Sequence, residues 1–253
     1  MMPETALQRV RAALIHLGLS AAVAVIAAAL VFELWYPAPF RDISGGRELF
    51  MLVVTVDVII GPTITLVVFD RRKPRSELMR DLAVVAALQV AALAYGLQTV
   101  AQARPAVVAL EGSRLRVVRA IDLDAGELSR APEPLRRLSW TGPRFVATRS
   151  PDDGERLEAI QRGLAGEDIG MRPSFWLPPE RTLAMLAAAA RPVAILARLQ
   201  PARSADVQRA AEQSSVPAEH LGFLPMLARR TDWSALVDRR TGAVVGYVNV
   251  EGF

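Results

Sequence analysis

With 253 residues, 52% of them hydrophobic and 22% charged, the chain has room for several membrane spans and one globular domain of ordinary size. It has no cysteine and only two histidines, His16 and His220, far apart in the chain, which excludes disulfides, thiol catalysis, iron–sulfur clusters and cysteine- or histidine-rich metal centres. The net charge of +4 is no nucleic-acid footprint: Lys73 is the only lysine, and residues 104–253 carry 21 basic and 18 acidic side chains, interspersed as on a solvated mixed surface.

The N-terminal tail carries Arg9 and Arg11 and leads into an apolar run at about residues 12–32, AALIHLGLSAAVAVIAAALVF. A cleavable signal has an apolar core of ~7–15 residues. This run continues into LVFELWYP, so an uncleaved first span is expected, with Trp35 and Tyr36 as aromatic anchors in the membrane interface. A second run at about 49–69, LFMLVVTVDVIIGPTITLVVF, contains Asp57 and the Gly61-Pro62 step. A third, at about 82–102, contains Gln89 and Tyr95. Each run provides the ~20 residues that cross a ~30 Å hydrocarbon core at 1.5 Å rise.

The loop between the second and third spans carries Arg71, Arg72, Lys73, Arg75 and Arg80, against Arg41 and Arg47 between the first two. The positive-inside rule places the N-terminus and the 70–81 loop in the cytoplasm and the C-terminal domain in the periplasm.

Asp57 is costly in hydrocarbon, by at least ~2.5–3.5 kcal/mol on insertion scales. Pro62 withholds a donor from the Val58 carbonyl, so this segment is expected to face protein. Counting from the cytoplasmic end, Tyr95 is level with Asp57, Gln89 is ~7 Å off and His16 ~12 Å off. Tyr95 is thus the expected partner of Asp57, with Gln89 second and His16 a poor third. Asp57 is either a structural carboxylate of the bundle or a recognition group for a helix of another protein. No second aspartate shares its depth, since Asp70 and Asp81 stand at the edge, so an intramembrane aspartyl protease is excluded. Small residues recur every fourth position, at Ser20, Ala24 and Ala28 and at Ala83, Ala87 and Ala91, as on faces where membrane helices approach closely. The simplest role for these faces is packing the three spans together.

Residues 105–253 read as a soluble α+β domain with a mainly antiparallel sheet. AVVALE, Gly112-Ser113 and RLRVVRAI form a hairpin with a type II′ turn. Residues 144–149 suggest a strand. Residues 152–166 read as an amphipathic helix with Leu157, Ile160 and Leu164 on its apolar face, and 180–190 as a second helix. A third is expected at 204–213 with Ser204 as N-cap. The C-terminus reads as a meander of FLPMLA, WSALVD and AVVGYVNV, turning at Asp238 to Gly242. No phosphate loop, nucleophile elbow or histidine–carboxylate motif is present, and Trp140, Trp176 and Trp233 suit packing better than a ligand cage. No enzyme and no cofactor are expected.

These pieces together resemble the type IV pilin accessory proteins, the TfpX/TfpZ family with its FimB-type relatives. The resemblance rests on His16-Leu17 with Ser20, WYPAP at 35–39, Gly45-Gly46, VDVIIGPTITLVVF at 56–69 and the long block at 80–105. It continues through GPR at 142–144, RPSFW at 172–176, ARPV at 190–193, FLP at 223–225 and DWSALVDRRTGAVVGY at 232–247. The first hairpin departs, with Gly112-Ser113 where a bulkier and an acidic residue are expected.

The resemblance implies a multi-pass inner-membrane protein, residues 1–104 in the membrane and 105–253 in the periplasm. It implies a non-enzymatic chaperone or assembly and dynamics factor for pilin in type IV pilus biogenesis. The implied partners are the pilin, inner-membrane pilus assembly proteins and the lipid bilayer, not nucleic acid. Asp57, Gly61, Pro62, Gln89 and Tyr95 are the candidate contact or bundle site. The alternatives are a membrane-bound periplasmic sensor, disfavoured by the short cytoplasmic segments, and a general envelope assembly factor.

Overall fold

The computed structural model describes residues 4–229 and 232–253. The chain divides into two compact units: residues up to Trp35 with Gly46–Gln102, and Tyr36–Gly45 with Ala103–Phe253. The short segment between the first two spans therefore folds with the C-terminal domain, whereas composition alone assigns everything before residue 105 to the membrane.

The first unit is helical. Helix α1 (Glu4–Ala29) runs into a π-helical turn at Leu30–Trp35. A four-residue helix α2 (Phe40–Ile43) follows and belongs to the second unit. Helix α3 (Gly46–Thr55), a π-helical turn at Val56–Ile60 and helix α4 (Gly61–Val68) form one continuous rod, and α5 is Arg75–Gln102. Three helices, Ala6–Trp35, Gly46–Val68 and Arg75–Gln102, are long and apolar enough to cross a membrane. Most of their large apolar side chains point outward, as lipid-facing surfaces require.

Helix α1 lies on α4, and α5 lies against both α3 and α4. Phe32 meets Phe50 edge-to-face at 5.0 Å between ring centres. A Cβ at Gly96 would stand 2.6 Å from Val53, so α5 approaches α3 closely only because residue 96 is glycine.

The second unit is built on a mixed seven-stranded sheet. Strand β1 (Pro105–Glu111) and β2 (Arg114–Arg119) make the expected hairpin. Gly112 has φ +61 and Ser113 is not at positive φ, as a II′ turn demands. A one-turn helix α6 (Ala125–Leu128) leads to β3 (Arg144–Ala147), and α7 is Arg156–Leu164. Helix α8 (Pro179–Ala189), the two-residue strand β4 (Arg191–Pro192) and helices α9 (Val193–Leu199) and α10 (Ser204–Gln213) follow. Strands β5 (Leu221–Leu227), β6 (Trp233–Asp238) and β7 (Val244–Val248) make the C-terminal meander.

The strand order is β3-β1-β2-β5-β6-β7, with β4 on β5. The meander and first hairpin are antiparallel, but β1 pairs β3 and β2 pairs β5 in parallel. This corrects the expected mainly antiparallel sheet. Both parallel pairings join strands far apart in the chain, with other strands and helices between them, so no local signal announces them. Ser204 is also not a cap: Arg203 occupies that position, and the Ser204 hydroxyl donates instead to the Pro201 carbonyl at 2.8 Å.

The core beneath α8 includes Phe40 and Ile43 from the inter-span segment, both nearly inaccessible, with Leu110, Leu186, Leu224, Met226 and Val237. Phe40 also meets Tyr247 edge-to-face at 5.7 Å. Tyr36, which groups with the second unit, is wholly buried. Trp35 is half-buried at the end of the first long helix.

Candidate functional site

The rod formed by α3 and α4 holds most of the candidate residues. Pro62 has no N–H, so neither the carbonyl four residues back (Val58) nor the one five residues back (Asp57) receives a bond from it. The intervening π-helical turn makes the second deficit real, because i→i+5 pairing there directs residue 57 toward residue 62. Gln89 of α5 supplies the missing donor: its Nε2 donates to the Asp57 carbonyl oxygen at 3.1 Å.

Gly61 makes room for that amide. A Cβ at position 61 would lie 2.0 Å from Gln89 Nε2. Asp57, Gly61, Pro62 and Gln89 therefore form one local arrangement. The contact runs to the backbone of Asp57, and its half-buried carboxylate has no hydrogen bond or ion pair among the described residues.

Tyr95 is not part of this arrangement. Its side chain is 74% exposed and points away from Asp57's rod. Equal depth along two helices does not fix which face each presents, and here the inward face of α5 is Val85, Gln89, Gly96 and Val100. Tyr95 instead continues the small-residue row: Ala83, Ala87, Ala91 and Tyr95 are four apart and all exposed. That face does not pack the spans together. The corresponding row of α1, Ser20, Ala24 and Ala28, is half-buried.

Sequence reasoning missed Thr65. It is buried one turn beyond Pro62, and its Oγ1 lies 2.5 Å from His16 Nδ1. The signal was present, since His16 and Thr65 are both polar residues of apolar runs near the same basic end. At that end Arg9 pairs Asp70 at 2.9 Å and Lys73 pairs Asp81 at 2.7 Å.

In the second unit several residues of the segments that carry the resemblance make tight local contacts. Gly45, with φ +71, lies under the Arg229 side chain, and Gly142, with φ +80, lies against Pro37. The ring of Phe175 stands between two guanidiniums, Arg149 at 4.4 Å and Arg172 at 4.6 Å. The Arg149 guanidinium also forks onto Glu155 and holds that carboxyl down at about 2. Trp176 is buried and donates to the Gly170 carbonyl at 2.9 Å, whereas Trp140 is exposed under the Arg104 guanidinium at 4.0 Å.

The apolar stripe of α7 is the exception to this closure. Leu157, Ile160 and Leu164 are 67%, 55% and 86% exposed, so the helix turns its apolar face outward. Among the described residues no cluster of three or more His, Asp or Glu side chains is placed to hold a metal ion.

These features define a membrane protein with a helix break bridged by Gln89 and two outward apolar stripes, one on α5 and one on α7. A family profile described as fimbrial assembly protein FimB matches residues 4–45. The chain is 30% identical to the fimbrial assembly protein of serogroup I of Dichelobacter nodosus over 242 residues, 94% of each chain. It is 29% identical to the serogroup E1 protein of the same organism over the same length and shares. To the protein of serogroups C1 and C2 it is 34% identical over 117 residues, 46% of this chain and 89% of that relative. No solved structure matches it. The chain belongs to the FimB-like family of fimbrial assembly proteins.

Proposed function

We propose that this chain is a non-enzymatic accessory protein of type IV pilus biogenesis that holds pilin in the inner membrane before assembly. The observation that carries the reading is its similarity to fimbrial assembly proteins along 94% of its length. The outward row on α5 supports the partner assignment. A pilin awaiting assembly is held in the bilayer by an apolar helix, and a row of alanines lets a second helix approach its backbone. Tyr95 at the end of the row gives that approach one hydrogen-bonding group.

In this reading the N-terminus is cytoplasmic and the C-terminal domain periplasmic, as the basic loop from Arg71 to Arg80 favours. The α7 stripe then faces the periplasm and meets the pilin head or another assembly protein. The Asp57–Gly61–Pro62–Gln89 arrangement is the bundle's own stabilising device. Asp57's carboxylate is the one group there left for a partner.

The test is deletion of the gene, with pilin transcript, pilin protein and surface pili measured in the same cells. Surface pili and pilin protein fall while transcript holds if the action is on the pilin protein. Unchanged pili end the proposal, and a proportional fall of transcript points to sensing instead.

A further inference from the structure

A cavity of about 600 Å³ opens between α1, α4 and the start of α5, all within the membrane unit. Its walls are hydrocarbon: Ile15 and Leu19 of α1, Phe69 just past α4, and Leu82 and Val85 of α5. The two polar side chains inside, His16 and Thr65, are engaged with each other. One end is different. Gln8, Arg11 and Arg71 line it.

The charges at that end are not equivalent. Arg9 is neutralised by Asp70 and Lys73 by Asp81. Arg11 and Arg71 make no ion pair among the described residues, and both border the cavity. An apolar slot ending in two uncompensated guanidiniums is complementary to a molecule with a hydrocarbon tail and an anionic head.

From Arg11 to Leu19 the slot runs about 12 Å along α1, most of the ~15 Å half-thickness of a hydrocarbon core. The volume is of small-ligand size. We propose that this is a binding site for an anionic phospholipid, its acyl chain between α1, α4 and α5 and its phosphate on Arg11 and Arg71. The site is independent of the partner proposed above, since it uses neither the α5 row nor α7.

The test is lipid retention by the purified full chain. Protein is exchanged into detergent with equal phosphatidylglycerol and phosphatidylethanolamine, and bound lipid is read by native mass spectrometry. Phosphatidylglycerol should be retained preferentially. The double variant Arg11→Gln/Arg71→Gln should lower that preference about thirty-fold, some five-fold per guanidinium. Arg11→Lys/Arg71→Lys, which keeps the charge, should retain most of it and serves as the folding control. Arg72→Gln, outside the cavity, should leave it intact, and Ala86→Leu, at a residue of the cavity wall on α5, should reduce retention of both lipids by filling the slot. Equal retention of the two lipids overturns the site. So does a loss from Arg72→Gln as large as from the double variant, which would mean diffuse surface charge. Displacement of the lipid by millimolar inorganic phosphate would reduce the site to a free-anion site and overturn the acyl slot.

Discussion

The side-chain amide of Gln89 donates to the backbone carbonyl of Asp57 across two helices, at 3.1 Å, five residues before Pro62, which has no N–H to give it. Gln89→Leu should therefore destabilise the bundle by about 0.6–1.7 kcal/mol, the range of polar contacts between membrane helices. In a Pro62→Ala background a backbone N–H is available again, and the same substitution should cost less. A double-mutant cycle on reversible unfolding in mixed micelles measures this coupling. Additive effects would mean that Gln89 stabilises the bundle by packing alone.

Gly61→Ala tests the same contact sterically. The added methyl would stand 2.0 Å from Gln89 Nε2, and the amide can swing away only by leaving the Asp57 carbonyl. The variant should match Gln89→Leu in unfolding free energy and should add little to it when combined.

The outward row on α5 predicts a separation of stability from partner binding. Ala87→Leu and Ala91→Leu add bulk to an exposed face and should leave protein level unchanged. Each should reduce crosslinking from α5 to a neighbouring helix several-fold, because the close backbone approach is lost. Tyr95→Phe should reduce it less. Undiminished crosslinking in both alanine variants would move the contact to α7 or Asp57.

Much of this molecule is legible in its sequence, and the misses share a physical form. The three apolar runs, the first hairpin and the C-terminal meander follow from length, periodicity and turn residues, which act locally. The parallel pairings of β1 with β3 and β2 with β5 do not, since they join segments far apart in the chain. At the candidate site, depth ranks Tyr95 first as the partner of Asp57 and Gln89 second, whereas the contact comes from Gln89 and goes to the Asp57 backbone. Depth is a one-dimensional quantity, and only the angular position around α5 decides which residue faces inward. The segment 36–45 is hidden for a similar reason: it directly follows a span, yet it groups with the C-terminal unit and gives that unit Phe40 and Ile43 as core residues.

The motif glycines near that segment should be intolerant of substitution. Gly142→Ala would put a Cβ at φ +80 and 2.9 Å from Pro37, and it should cost about 1–3 kcal/mol of strain. Gly112→Ala has a similar φ of +61 but nothing within 4 Å, so its cost should sit at the lower end. Limited proteolysis of the full chain compares the two. Equal susceptibility would mean that the Pro37 contact yields without cost.

The last expectation concerns alkaline pH. Partial burial pushes the Tyr247 hydroxyl up to about 12 from an ordinary 10.0, because the half-buried ring packs against the core at Phe40 and the phenolate would lose hydration. Tyr36, also buried, is shifted in the same direction. A raised phenol keeps its proton in the folded state after the unfolded chain has begun to lose it. Its contribution to stability is therefore complete below pH 10 and falls as pH rises from there toward 12. Over that window each such tyrosine should remove about 1 kcal/mol per pH unit. Tyr247→Phe abolishes the ionisation while keeping the ring. The variant should therefore match the parent in thermal melts at pH 8 and lose stability less steeply between pH 10 and 11.5. Parallel pH profiles for the two proteins would show that the Tyr247 hydroxyl reaches solvent in the folded domain.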